Sequence, residues 1–181
     1  MRPSKLIMCT MMSVFVWSGL VGLFAPSVMA DDILASFKGG IGVIPVVAGE
    51  GEEATATVVD RNIVRGVQPG LNIWVIRKLK ATVRTNGAIK VAGKGLLLGS
   101  SDDIGGTGGD VVFATLICEA TAPFTERNSN LAGVPLAPNG DFRIDDVLSP
   151  APTTCASPVL LIRNAANLRW FAAGIPAEDE D

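Results

Sequence analysis

The sequence predicts an all-β protein, an antiparallel β-sandwich or barrel of roughly ten short strands. Several stretches alternate apolar and polar residues with a period of two, which is typical of half-buried strands. Glycine and proline occur 20 and 11 times, and many of them lie between those stretches, where turns need them. No segment of ten or more residues has helical periodicity. Together these three observations favour sheets over helices.

The first thirty residues have the pattern of a secretory signal peptide. Arg2 and Lys5 form a basic start, residues 11–24 are apolar and uncharged, and Val28-Met29-Ala30 suits a signal-peptidase site. We expect cleavage after Ala30 and export to the periplasm or the extracellular space; the alternative is a signal retained as an anchor. No later apolar run reaches membrane-spanning length, so no transmembrane segment is expected after cleavage.

The 181 residues suffice for one domain besides this leader. The predicted organisation is a signal peptide at 1–30, one β domain at 31–175 and an acidic tail at 176–181. The net charge of −3 comes largely from that tail, so the predicted domain is close to neutral. We therefore expect no general nucleic-acid binding, and nothing in the sequence calls for a cofactor.

The strands are predicted in order from alternation and turn residues. Residues 33–47 read as one or two short strands with a kink or edge at Pro45. The other expected elements are a turn at 48–54, a strand at 55–66, a turn at 67–70, a hairpin at 71–99, a glycine-rich loop at 100–109, a buried strand at 110–120, a second hairpin at 134–148, a proline-rich crossing at 149–158, and strands at 158–163 and 168–174.

The hairpin at 71–99 is the most informative stretch. A two-residue Asn-Gly loop would pair Val83 with Lys90 and place charges opposite core residues. A three-residue loop keeps one face apolar and puts Gly87 at the left-handed position. The expected pairs are Val83 with Ile89, Ala81 with Val91 and Val75 with Leu97. The expected buried face consists of Val75, Leu79, Val83, Ile89, Val91 and Leu97.

The second hairpin follows the same logic. A three-residue loop at 138–140 would pair Leu136 with Phe142 and Val134 with Ile144, again with glycine at the left-handed position.

Cys118 and Cys155 remain after the leader, and an isolated cysteine pair in an exported protein most often forms a disulfide. The alternatives are two free thiols or a soft-metal pair. Because the chain has no histidine, a zinc site would lack its usual nitrogen ligands.

Several segments of the sequence resemble exported bacterial proteins described only as hypothetical. These segments are FKGGIGVIPV, GKGLLLG, FATLIC, PNGDFRIDD, SPVLLIRN and WFAAGIP. This resemblance covers most of the predicted domain, implies export and a single domain, and assigns no activity or site residue.

A first candidate site is the loop GGTGGDVVF, which fits one copy of a calcium-binding nonapeptide pattern. Asp110 would be the ligand, with Asp102 and Asp103 as further oxygen donors. Such sites form between stacked repeats, and only one copy is present. The alternative is an ordinary flexible loop.

A second candidate is the polar face of the first hairpin. No acidic residue occurs between Asp60 and Asp102, and five cations share this face: Lys78, Lys80, Arg84, Lys90 and Lys94. The face could hold an anionic glycan, a lipid surface or an acidic protein. The alternative is a solvated sheet face whose lysines keep an edge soluble.

Catalysis has few available residues. Without histidine or tyrosine, a Ser-His or Cys-His pair is excluded, and only carboxylate pairs remain, such as Glu119 with Asp145 or Asp146. The sequence thus predicts an exported, non-catalytic binding or structural β domain with an unknown ligand. The alternatives are a carboxylate-dependent glycan hydrolase and a calcium-dependent binding module.

Overall fold

The computed structural model of the chain describes residues 32–49 and 59–177, which contain β-strands and no helix. The strands are β1 (Ile33–Gly42), β2 (Val46–Ala48), β3 (Val59–Arg61), β4 (Trp74–Val75), β5 (Lys78–Arg84), β6 (Ala88–Lys94), β7 (Leu97–Leu98), β8 (Val111–Ile117), β9 (Arg127–Asn128), β10 (Val134–Pro135), β11 (Phe142–Val147), β12 (Val159–Asn164) and β13 (Trp170–Pro176). The all-β prediction is therefore confirmed.

Nine of the strands in the described part of the chain form one antiparallel sheet that curls into a half-barrel. The order is β10-β8-β12-β13-β1-β5-β6-β11, and β9 pairs with β8 off this path. The pairs β2–β3 and β4–β7 form two separate ribbons. Neighbours in the sheet are often distant in sequence, as with β1 between β13 and β5. All the described residues belong to one compact unit.

The curled sheet brings its two ends together. Asn128 donates its backbone N–H to the carbonyl of Ser149 at 3.0 Å, and Ser149 returns the bond at 2.8 Å. Asn130 donates its backbone N–H to Oδ2 of Asp146 on β11 at 2.7 Å. The segment after β9 therefore lies along the edge of β11.

The core is one cluster to which β1, β5, β6, β8, β11, β12 and β13 all contribute. Both faces of β8 and β12 are buried beyond their first residues, which confirms the predicted strand at 110–120. Trp74 stacks on Phe171 with ring centroids 4.0 Å apart, and Gly42 lies against the backbone of Trp74, leaving no space for a Cβ. These contacts attach the β4–β7 ribbon to β1 and β13.

The register of the first hairpin is as predicted. Val83 pairs with Ile89 and Ala81 with Val91 in β5–β6, and Val75 pairs with Leu97 in β4–β7. Gly87 has φ of 87°. The loop length has therefore determined the register, as the turn chemistry required.

One part of the hairpin prediction is wrong. Val75 is exposed and Leu97 is only partly buried, whereas Trp74 and Leu98 point into the core. The ladder is interrupted at residues 76–77 and 95–96, and Gly95 there has φ of 66°. The ribbon reverses its faces across this break because the stacking of Trp74 on Phe171 buries more apolar surface than Val75 could.

The predicted pairing within the second hairpin is also wrong. Its turn exists, since Gly140 has φ of 76° and Ala137 donates its N–H to the carbonyl of Asp141. Its two arms then diverge: Val134 pairs with Val112 of β8, and Ile144 pairs with Val91 of β6. The first arm, β10, therefore lies at one end of the strand order beside β8, and the second arm, β11, lies at the other end beside β6.

The remaining predictions have mixed outcomes. Two strands flank Pro45, the loop at 100–109 is irregular, and the two final strands are present. The strand expected at 55–66 is described only from Val59 and ends at Arg61. The predicted signal peptide at 1–30 and most of the predicted acidic tail lie outside the described residues. Among the residues that are described, no helix has the length and hydropathy needed to cross a membrane.

Replacing Gly87 with valine should lower the free energy of unfolding by about 1–2 kcal/mol, because a β-branched residue is strained in the left-handed region. A Cβ at Gly87 would also lie 3.2 Å from Cβ of Ala151. Gly66→Val is a matched control for backbone strain without a close contact, since Gly66 has a φ of 86° but no atom lies within 4 Å of the added Cβ. Urea denaturation measures both variants. A Gly87→Val protein as stable as the wild type would contradict the turn.

Candidate functional site

The outer face of four adjacent strands carries most of the exposed cations among the described residues. Lys78 of β5 pairs with Lys94 of β6. In the next outward-facing row, Lys38 of β1, Lys80, Ala92 and Arg143 of β11 follow one another across the sheet. Beyond them, Lys90 lies between Thr82 and Asp145. We call the six cations of these rows the basic face: Lys38, Lys78, Lys80, Lys90, Lys94 and Arg143.

All five cations predicted from the hairpin are exposed on its outer side. Arg84 lies at the far end of β5, opposite Ile33, and is therefore outside the rows that define the basic face. Lys38 and Arg143 were missed because they belong to other strands. Alternation in Phe142-Arg143-Ile144 would have placed Arg143 outward, but only the strand order shows that it lies beside Ala92.

Ala92 forms the floor of the basic face. A depression of about 300 Å³ lies between Lys80, Lys90, Arg143 and Asp145 over Ala92. A second, of about 480 Å³, is lined by Lys38, Lys78, Lys80 and Lys94 and again includes Ala92. Because alanine presents only a methyl group, the long cationic side chains stand around a shallow space.

The charges of this face are largely uncompensated. Lys90 Nζ pairs with Oδ2 of Asp145 at 2.9 Å, with both side chains 72% exposed, and such pairs contribute little to stability. Within residues 32–49 and 59–177, the other five cations of the basic face form no ion pair. A row of neighbouring unpaired cations creates a positive potential over the sheet.

The structure does not bring the calcium candidates together into a binding cluster. Asp102 and Asp103 are exposed, whereas Asp110 accepts a 2.7 Å hydrogen bond from Asn164 Nδ2. Burial raises the pKa of Asp110, and the Asn164 bond opposes this shift. No group of three or more acidic or cysteine side chains suited to a metal occurs in the described part of the chain. The calcium prediction thus gains no geometric support.

The carboxylates considered for catalysis each have a different partner. Glu119 Oε1 accepts a 2.8 Å bond from Arg127, and this hydrogen bond lowers the pKa of Glu119 to about 2. Asp145 pairs with Lys90. Asp146 accepts from the backbone of Asn130. Asp145 and Asp146 project to opposite sides of β11, as the strand geometry predicted.

The disulfide between Cys118 and Cys155 is present, with Cα atoms 4.4 Å apart. It connects the end of β8 with the crossing that leads to β12. Arg65 strengthens this corner, because its guanidinium donates to the carbonyls of Ile117 and Ser157 at 3.1 and 2.6 Å. The cysteine pair is thus a structural feature of the fold.

A polar network around the buried Arg163 connects β12 with β8 and with the crossing at 119–130. It was not predicted from the sequence. Arg163 Nη1 binds Oε2 of Glu126 at 2.6 Å and Thr115 Oγ1 at 3.3 Å, and its Nε donates to the carbonyl of Leu168. The guanidinium lies 5.3 Å from the Phe113 ring centroid. These bonds hold the crossing at 119–130 onto the sheet.

The described residues therefore offer one charged surface with a defined floor and two clusters that stabilise the fold. Comparison with known proteins finds no family model that matches the chain, no similar curated protein and no similar solved structure.

Proposed function

We propose that this protein is an exported, non-catalytic binding domain that holds an anionic ligand on its basic face. The observation that carries the proposal is the row of Lys38, Lys80 and Arg143 around Ala92, flanked by Lys78 and Lys94. The disulfide supports export, because such bonds persist in oxidising compartments. The separate partners of Glu119, Asp145 and Asp146 support a binding role over carboxylate catalysis.

The spacing of the basic face suits an extended array of anionic groups. Neighbouring strands lie about 4.8 Å apart, so the row from Lys38 to Arg143 spans about 14 Å across the sheet. Along β5, Lys78 and Lys80 are about 7 Å apart. The ligand class is therefore a surface or polymer that presents repeated phosphate, sulfate or carboxylate groups.

Reversing two charges should weaken this binding strongly. We expect Lys80→Glu with Lys90→Glu to reduce affinity for heparin at least tenfold at low salt, since each reversal replaces an attraction with a repulsion. Wild-type retention on a heparin column should itself fall as salt rises, because exposed charges are screened. Retention of the double variant at the wild-type salt concentration would contradict the proposal.

Two further variants separate the basic face from net charge. Arg61→Glu on β3 changes the net charge as much as Lys80→Glu does, but Arg61 lies on a separate ribbon; we expect it to have little effect. Asp145→Asn removes the carboxylate paired with Lys90, so retention should increase. An equal loss in Arg61→Glu and Lys80→Glu would mean that binding follows overall charge.

A further inference from the structure

A group of exposed apolar side chains borders the basic face. Val75 and Ile73 are 48% and 37% exposed, while Ile76 and Leu97 are partly buried. We call these four residues the apolar rim. Large apolar side chains gathered at one place on a surface are typical of interaction sites.

Contacts show that the apolar rim is continuous. A Cβ added at Gly99 would lie 3.1 Å from Ile73 Cγ2 and 3.2 Å from Val75 Cγ1, so these two side chains converge over one glycine. Val75, Ile76 and Leu97 line one depression of about 560 Å³.

The apolar rim reaches β1 and the first cations. Ile76 Cγ2 would lie 3.2 Å from a Cβ at Gly40 of β1, so the apolar rim packs against this strand. Arg77 joins the two surfaces, since it lines both the apolar depression and the basic depression that contains Lys38 and Lys78.

We infer that the ligand of the basic face is an anionic lipid surface and that the apolar rim enters the layer beneath its headgroups. This inference rests on the proposed function and names its ligand. A membrane supplies both of the matching surfaces, negative headgroups for the lysines and an apolar layer for Ile73 and Val75. A soluble anionic polymer supplies only the charges.

A second copy of the chain fits this surface less well. A symmetric dimer through the apolar rim would use the same patch on both subunits. The adjoining Lys38 and Lys78 would then approach cations of the other copy, and like charges repel. Charge complementarity thus selects a negatively charged partner.

The test compares vesicle binding with heparin binding in the same variants. Vesicles of phosphatidylcholine with about one third phosphatidylglycerol are compared with vesicles of phosphatidylcholine alone. We expect binding of the wild type to require the anionic lipid. Ile73→Ser with Val75→Ser should weaken binding to anionic vesicles about tenfold, because it removes apolar surface that the lipid would bury. The same pair should leave heparin retention unchanged. All variants keep residues 1–30, so that segment contributes equally.

Two controls make the result specific. Leu131→Ser with Leu168→Ser removes exposed apolar side chains that line none of the depressions of the basic face or the apolar rim, and this variant should bind vesicles as the wild type does. In Val75→Trp, the new indole should shift its emission to shorter wavelength on anionic vesicles, relative to the wild-type emission of Trp17, Trp74 and Trp170 on the same vesicles.

The outcomes distinguish the two proposals. Heparin binding without vesicle binding, or equal vesicle binding by the wild type and the Ile73→Ser/Val75→Ser variant, would overturn the membrane inference and leave the proposed function standing. A wild-type dimer that this variant dissociates, with unchanged vesicle binding, would assign the apolar rim to self-association and also overturn the inference. Failure to bind either heparin or vesicles would overturn both proposals.

Discussion

Replacing Cys118 and Cys155 with alanine should lower the free energy of unfolding by about 4 kcal/mol. The disulfide joins residues separated by 37 positions, and a loop of that length loses much conformational entropy when it is closed in the unfolded chain. Urea denaturation of the double variant and the wild type gives the difference directly. The variant should remain all-β by circular dichroism, because the pairing of β8 with β12 does not need the bond.

A chemical control accompanies this prediction. Reduction of the wild type should cause nearly the same loss of stability as the alanine substitutions, and reducing agent should not affect the variant. Two alkylatable thiols at Cys118 and Cys155 in the unreduced wild type would show that the bond is absent in solution. Equal midpoints for reduced and oxidised protein would contradict its stabilising role.

Replacing Arg163 with methionine should destabilise the fold by about 3 kcal/mol. The Arg163 side chain is 5% exposed, and its removal leaves the buried Thr115 hydroxyl and the Leu168 carbonyl without this donor. Glu126 is 41% exposed and can be hydrated when its partner is lost, which keeps the cost at the low end for broken buried ion pairs. Thermal and urea denaturation measure the change.

A double-mutant cycle tests whether the ion pair itself is responsible. Glu126→Gln alone should cost less than Arg163→Met, and in the Arg163→Met background it should cost almost nothing, because the shared contact is already gone. Additive effects would mean that Arg163 acts through Phe113 and Leu168 instead. Basic-face binding should be unchanged in every variant of the cycle that folds.

Local turn chemistry explains which parts of the fold could be predicted. The three-residue loop ending at Gly87 determines the pairing of Val83 with Ile89, and residues close in sequence contain all the information needed. The buried strand at β8 was recognisable from its continuous apolar run. The cysteine pair followed from the expected compartment.

The errors have a common physical cause. Val75 was assigned to the core because alternation was extended through residues 76–77, where the ladder breaks and Trp74 turns toward Phe171. Val134 was paired with Ile144, although its partner Val112 is supplied by β8. In both cases a contact with a strand distant in sequence outweighed the local pattern.

In the candidate site too, the residues on consecutive strands were predictable and those on strands distant in sequence were not. The five hairpin cations could be predicted because they alternate with core residues on two consecutive strands. Lys38 and Arg143 could not be added without the order β1-β5-β6-β11. Arg163 and Glu126 were not recognisable as partners, since 37 residues separate them and Glu126 lies in an irregular crossing.

The meeting of the sheet ends near Asn128 and Ser149 bears on solubility at high concentration. An open edge strand presents unpaired N–H and C=O groups on which another chain can add a strand, and this is a common route to aggregation. Here the carboxylate of Asp146 receives the N–H of Asn130, and Ser149 exchanges two backbone bonds with Asn128. The chain thus shields the end of its own sheet from intermolecular strand addition at these positions, independently of the lysines on its outer face.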